Sequence, residues 1–255
     1  MPIKTPRTKP VVPLGTLWFA TPGRNYLNAL LRNAVETANP ESVLDAGAGL
    51  LRNFELFTGA YTGIGIDRIE LRRGLDMNAN LITPDRMPVV YELNMDEDFG
   101  FLGPFDFCAC TATLLYMKDK PYSLTQMTET LSLGGSLFFD IDDIDLGKSL
   151  AHVLEPHFEN TYVIYFGGRD LPQLPEDVWR KALRRPPQDT YNLAELSDAD
   201  HASLQALVEQ EMQSSASPED NQFVLVYAQG KKAEFAHREP PFKFVEEDRV
   251  WCRVK

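Results

Sequence analysis

The sequence lacks a long apolar run: none reaches the ~18 residues that a membrane-crossing helix needs. It lacks an even cysteine framework as well. Three cysteines, Cys108, Cys110 and Cys252, fit a reducing, cytoplasmic setting better than a disulfide scaffold. Positive charge is scarce, with 25 Lys and Arg against 37 Asp and Glu and a net charge of −12. A surface of that sign does not suit a phosphate backbone, so the expected partner is a small molecule and not a nucleic acid. No internal repeat is visible, and the first residues carry no apolar signal region. What remains is a chain of 255 residues, 44% apolar, enough to bury a sizeable core. One α/β domain with an insertion is the natural count, with two small domains as the alternative.

The rest of the chain is organised around residues 41–49, ESVLDAGAG. Ser42, Val43 and Leu44 have β character, Asp45 closes the run, and Gly47 and Gly49 follow. A buried strand that stops at an acid and turns through two glycines lets a ligand lie against backbone. Residues 50–57 space Leu50, Phe54 and Phe57 as a helix would, so the unit reads as strand, glycine loop, helix. Ile64 and Ile66 suit a second parallel strand that ends at Asp67, well placed to accept from both hydroxyls of a ribose. The alternative for Asp67 is a solvated turn acid paired with Arg68, Arg72 or Arg73.

The pattern apolar, any, Asp, any, Gly, any, Gly resembles the first motif of class I S-adenosylmethionine-dependent methyltransferases. It differs from the dinucleotide fingerprint, which wants a third glycine as G-x-G-x-x-G. Leu51 is a departure, because many members of the superfamily carry a glycine there. The resemblance implies S-adenosyl-L-methionine as cofactor, lined by Asp45, Gly47, Ala48 and Gly49, with Asp67 and its neighbour Arg68 at the ribose. After the third strand (Val89, Val90, Tyr91), either Asn94 with Met95 or Asp96 with Glu97 fills the places that bind the adenine edge. Residues 104–117, PFDFCACTATLLYM, resemble the fourth motif, where small residues leave room for the methionine part; Cys110, Thr111 and Ala112 stand there. The N/D-P-P-Y/F signature of enzymes acting on exocyclic or glutamine amides is absent.

The remaining elements follow in order. A helix over residues 121–133, Gly134-Gly135 and a fifth strand over residues 136–141 match the superfamily's L-x-x-G-G pattern. The acids Asp140, Asp142, Asp143 and Asp145 read as a solvated helix start and not a metal site, since only Thr111 stands at the end of strand four. Strand six covers residues 161–166 and strand seven residues 221–229. Between them an insertion, residues 169–219, carries an apolar stripe of Leu204, Leu207, Val208 and Met212 that must bury against its own domain or a second subunit. It reads as a substrate cover, with a homodimer contact as the alternative. Residues 1–20, rich in proline, form an expected flexible arm before the domain at 21–255, and residues 249–254 an extra short strand.

The expected fold is therefore a seven-stranded, mostly parallel sheet of order 3-2-1-4-5-7-6, strand seven antiparallel, helices on both faces. The expected activity is methyl transfer to an O or N atom of a small acceptor. A non-catalytic binding module on the same fold, or a nicotinamide-dependent oxidoreductase, is the alternative. No catalytic base is assigned; Tyr116, His152 and His157 are candidates.

Overall fold

Side chains along a strand point alternately to its two faces, and the first strand shows what that does here. In a computed structural model describing residues 31, 32, 34–141, 143–167 and 221–254, β1 is Ser42–Ala46. Val43 joins one buried cluster and Leu44 and Ala46 the other, so the strand is covered on both sides. The same holds for β4 (Phe105–Cys110): Phe107 and Ala109 face one way, Cys108 and Cys110 the other. Near-continuous apolar runs of this kind mark the centre of a parallel sheet. Helical residues 34–38 (α1) and Arg68–Met77 (α2) cover the first face through Ala34, Val35, Leu71 and Leu75. Lys120–Glu129 (α3) and Ile144–Leu154 (α4) cover the second through Leu124, Met127, Leu150 and Leu154.

The other strands are β2 (Ala60–Gly65), β3 (Val89–Glu92), β5 (Leu131–Ile141), β6 (Phe158–Gly167), β7 (Asn221–Lys231), β8 (Phe244–Glu247) and β9 (Val250–Arg253). Their order in one sheet is β6-β7-β5-β4-β1-β2-β3-β9-β8. The run expected for strands one to seven is contained in it, but the sheet has nine strands and two of them, β7 and β8, run against the rest. The surplus is a C-terminal hairpin. β9 pairs in parallel with β3 (Tyr91 beside Trp251) and β8 closes on β9, so the tail lengthens the sheet past its expected edge.

Three local expectations are corrected. Residues 50–57 do not form an α-helix. Leu51 adopts φ +51°, which no right-handed helix contains, and a short 3₁₀ turn, Phe54–Leu56, follows. Of the residues read as a helical stripe, Phe54 and Phe57 are fully buried and Leu50 only half-buried; Leu51 takes the core place beside them. β5 begins at Leu131, inside the segment expected to be helical, because α3 stops at Glu129. Ile66 lies just past the end of β2 and is 67% exposed. The arm at 1–20 and the insertion at 169–219 lie outside the described residues. No helix among the described residues is long and apolar enough to cross a membrane.

Candidate active site

β1, β2 and β4 are parallel neighbours, so their carboxyl ends, Ala46, Gly65 and Cys110, share one edge of the sheet. The glycine turn leaves β1 there. Gly47 and Gly49 have φ of +83° and +50°, and the amides of Gly47 and Ala48 both donate to the Ile64 carbonyl (2.9 and 2.8 Å), tying the turn to β2. The two glycines have different neighbours. A Cβ on Gly47 would lie 2.2 Å from Cγ2 of Thr113, so this glycine admits the β4 exit loop. A Cβ on Gly49 would meet nothing nearer than Glu70 Oε2 at 3.6 Å, so the open part of the turn is at Gly49. Among the described residues no acceptor takes the amides of Gly49 and Leu50.

Asp45 does not face that opening. It is 1% exposed and accepts from the Tyr61 hydroxyl (2.6 Å) and from Asn53 Nδ2 (3.2 Å). Asn53 Nδ2 also donates to Thr111 Oγ1 (3.1 Å), which joins the ends of β1 and β4 through one amide group. Burial raises the Asp45 carboxyl from 3.8 to about 6, against the lowering effect of its Tyr61 and Asn53 hydrogen bonds. The same burial pushes the Cys108 and Cys110 thiols well above their usual range, and both are fully buried core residues, Cys110 at the β4 end where the resemblance places the methionine part.

Asp67 sits at the β2 exit and caps α2: Oδ1 accepts from the amides of Ile69 (2.8 Å) and Glu70 (3.1 Å). Oδ2 has no partner among the described residues and is open to solvent. Arg68 turns away from this edge to the C-terminal hairpin, where it pairs with Glu247 and reaches Cys252 Sγ at 3.8 Å. Beside the turn, half-buried Arg52 has its guanidinium pKa lowered by burial, opposed by the charge of Glu70.

At the β3 exit, Asn94 Oδ1 accepts from the Asp96 amide (3.0 Å), and Asp96 Oδ1 accepts from the Lys118 amide (2.9 Å). Met95 is buried under this turn, and its carbonyl accepts from Ser123 Oγ (3.0 Å). Thr111 is 5% exposed. Ala112 follows in the left-handed region, φ +54°, and its amide donates to Asp140 Oδ1 at 2.6 Å. Asp143 caps α4 through the Leu146 amide (3.0 Å), and no metal-ligating cluster occurs among the described residues.

The two candidate bases part company. Tyr116 lies in the 3₁₀ turn Leu114–Tyr116 that follows β4, half-buried and on the site's edge. His152 is in the last turn of α4, which runs from the β5 exit back toward the opposite edge. It is exposed and paired with Glu155 at 3.1 Å, so the structure does not bring it to the site. His157, further on, is exposed too. Sequence reasoning missed Asn53, Tyr61, Thr113 and the bonding of Asp140 to Ala112. Asn53 alone carried a signal, as a poor helix former in the middle of an apparent helix.

No family model matches the chain, and no curated protein matches it by sequence. Solved structures match by shape. The N-methyltransferase NodS from Bradyrhizobium japonicum, in complex with S-adenosyl-L-homocysteine, aligns over 84% of this chain and 90% of its own, with TM-score 0.54 and 13% identity. The plantazolicin methyltransferase BpumL, in complex with a triazolic desmethylPZN analog and S-adenosylhomocysteine, aligns over 84% and 93% with TM-score 0.50 and 12% identity. The StiE O-MT segment aligns over 82% and 74% with TM-score 0.50 and 15% identity. The chain has the class I S-adenosylmethionine-dependent methyltransferase fold. Identities this low carry the fold alone; what the site does rests on its own residues.

Proposed function

We propose that the protein binds S-adenosyl-L-methionine across the carboxyl ends of β1, β2 and β4 and transfers its methyl group to an O or N atom of a small molecule. The observation that carries this reading is Asp67. It stands at the β2 exit beside the glycine turn, with Oδ1 committed to the helix cap and Oδ2 facing outward. That single oxygen, with two lone pairs, suits a pair of ribose hydroxyls. The amides of Gly49 and Leu50 suit the cofactor's carboxylate, and the turn at Asn94, Met95 and Asp96 suits the base. Thr111 and Ala112 border the amino-acid half. The similar structures in complex with S-adenosylhomocysteine support the choice of cofactor.

Asp45 then holds the turn in shape and does not touch the ligand, and Arg68 fastens the hairpin. When bound, the cofactor supplies a methyl already activated on a sulfonium, so the chain's task is to align an acceptor and exclude water. Tyr116 is the candidate to orient or deprotonate that acceptor, since it lies on this edge. Titration calorimetry with S-adenosylhomocysteine tests the reading. Binding in the micromolar range is expected, and no heat at millimolar ligand would overturn it.

A further inference from the structure

The exit of β4 is held in a conformation its sequence does not favour. Ala112 is not a glycine, yet it has φ +54°, where a Cβ crowds the backbone. Three contacts surround it. The Asp140 carboxylate, 2% exposed at the end of β5, accepts the Ala112 amide at 2.6 Å. Asn53 holds Thr111 from the β1 side at 3.1 Å. The Thr113 hydroxyl lies 3.0 Å from the Thr111 carbonyl and 3.3 Å from the Gly47 carbonyl, and its methyl fills the space above Gly47. A buried carboxyl oxygen that accepts a backbone amide at this distance is a strong, directional restraint. Any ligand lying over the β1 turn must pass the segment 111–113 that these contacts fix.

We infer that Asp140 is a positioning residue for the cofactor's amino-acid half: its grip on the Ala112 amide keeps Ala112 left-handed and so sets the floor on which that half rests. The inference rests on the cofactor reading above. It assigns Asp140 neither to a metal nor to catalysis, and it separates the two halves of the ligand. The base and ribose depend on the exits of β3 and β2, whereas the Asp140 bond to the Ala112 amide acts at the exit of β4.

The test compares S-adenosylhomocysteine with 5′-methylthioadenosine, which lacks the amino-acid half, by calorimetry on the full chain. Asp140→Ala should weaken S-adenosylhomocysteine about 10–100-fold, the loss expected for a charge-assisted bond, and leave 5′-methylthioadenosine within about threefold. Asp140→Asn keeps an acceptor oxygen without the charge and should weaken S-adenosylhomocysteine less than Asp140→Ala does, again sparing 5′-methylthioadenosine. Ala112→Gly placed in the Asp140→Ala background should recover most of the loss, because glycine takes a positive φ without help. Equal weakening of both ligands, or no rescue by glycine, would reduce Asp140 to a structural role and overturn the inference. Wild-type protein that binds neither ligand would remove the cofactor reading and this inference with it, a result visible before any variant is made.

Discussion

Asp45 and Asp67 share a charge type and an edge of the sheet, yet they do different work, and each difference is measurable. Asp45 is a buried acid whose folded pKa, about 6, lies above its ordinary 3.8. The folded state therefore holds a proton between about pH 4 and 6 that the unfolded chain has released. This group's contribution is most favourable below pH 4, falls as pH rises through that window, and above pH 6 is a constant cost of about 3 kcal/mol. Asp45→Asn should thus raise stability at pH 7.5 by about 1–3 kcal/mol, once the Asn53 amide adapts, and flatten the fall between pH 4 and 6. Denaturant melts at pH 4, 6 and 7.5 check it; a variant less stable than wild type at pH 7.5 would show that the hydrogen bonds of Tyr61 and Asn53 outweigh burial. Asp67 instead caps a helix with one oxygen and offers the other. Asparagine caps as well as aspartate, so Asp67→Asn should leave the melting temperature nearly unchanged while weakening S-adenosylhomocysteine about tenfold, through loss of the charge. Asp67→Ala should show both effects, adding about 1 kcal/mol of lost cap. Unaltered affinity in Asp67→Asn would assign Asp67 to the cap alone.

At the scale of elements, the C-terminal hairpin is the addition that sequence reading half saw. β9 was legible because Val250 and Cys252 alternate with Trp251 and Arg253, and both are buried. β8 was not: Val245, Glu246 and Glu247 are exposed and Phe244 half-buried, so no hydrophobic alternation announces it. It exists through its pairing with β9 and through the ion pairs of Arg68 with Glu247 and Arg72 with Asp248. The turn between them places Asp248 at φ +51° and Arg249 at φ +67°, two consecutive left-handed residues, as the tightest hairpin turns require. Aspartate tolerates this, while arginine gains nothing from it. Arg249→Gly and Arg249→Val both remove the exposed pairing with Asp76, so the difference between them isolates backbone strain. The glycine variant should be the more stable by about 1–2 kcal/mol, which thermal melts would resolve. The glycine turn of β1 shows the opposite case of legibility. Gly47 and Gly49 were readable as a tight turn closing a buried strand, but the coil after them was not. The apolar spacing of Leu50, Phe54 and Phe57 fits an α-helix, whereas the chain buries Leu51, Phe54 and Phe57, and the left-handed Leu51 that makes the difference leaves no mark in the sequence.

For the whole molecule, strand directions place the long insertion without any description of the insertion itself. β7 runs against both β5 and β6, so β6 is parallel to β5 and its end, Gly167, lies on the edge where β1, β2 and β4 also finish. The β6–β7 ladder is paired out to Gly167 opposite Asn221, so the chain leaves and returns at neighbouring points. Antiparallel strands whose ends already meet can be joined by a turn of a few residues. The sheet therefore closes without residues 169–219, and long excursions from such points cost little loop entropy. Replacing those residues by a four-residue Gly-Ser turn should yield a folded protein with far-ultraviolet circular dichroism of a mixed α/β domain. Its S-adenosylhomocysteine affinity should lie within about threefold of the parent, because Asp67, the Gly49 amide and Thr111 are positioned by β1, β2 and β4. An insoluble or unfolded product would mean that the stripe of Leu204, Leu207, Val208 and Met212 covers the sheet's own core. A folded product without affinity would mean that the cofactor's site extends beyond the three strand ends.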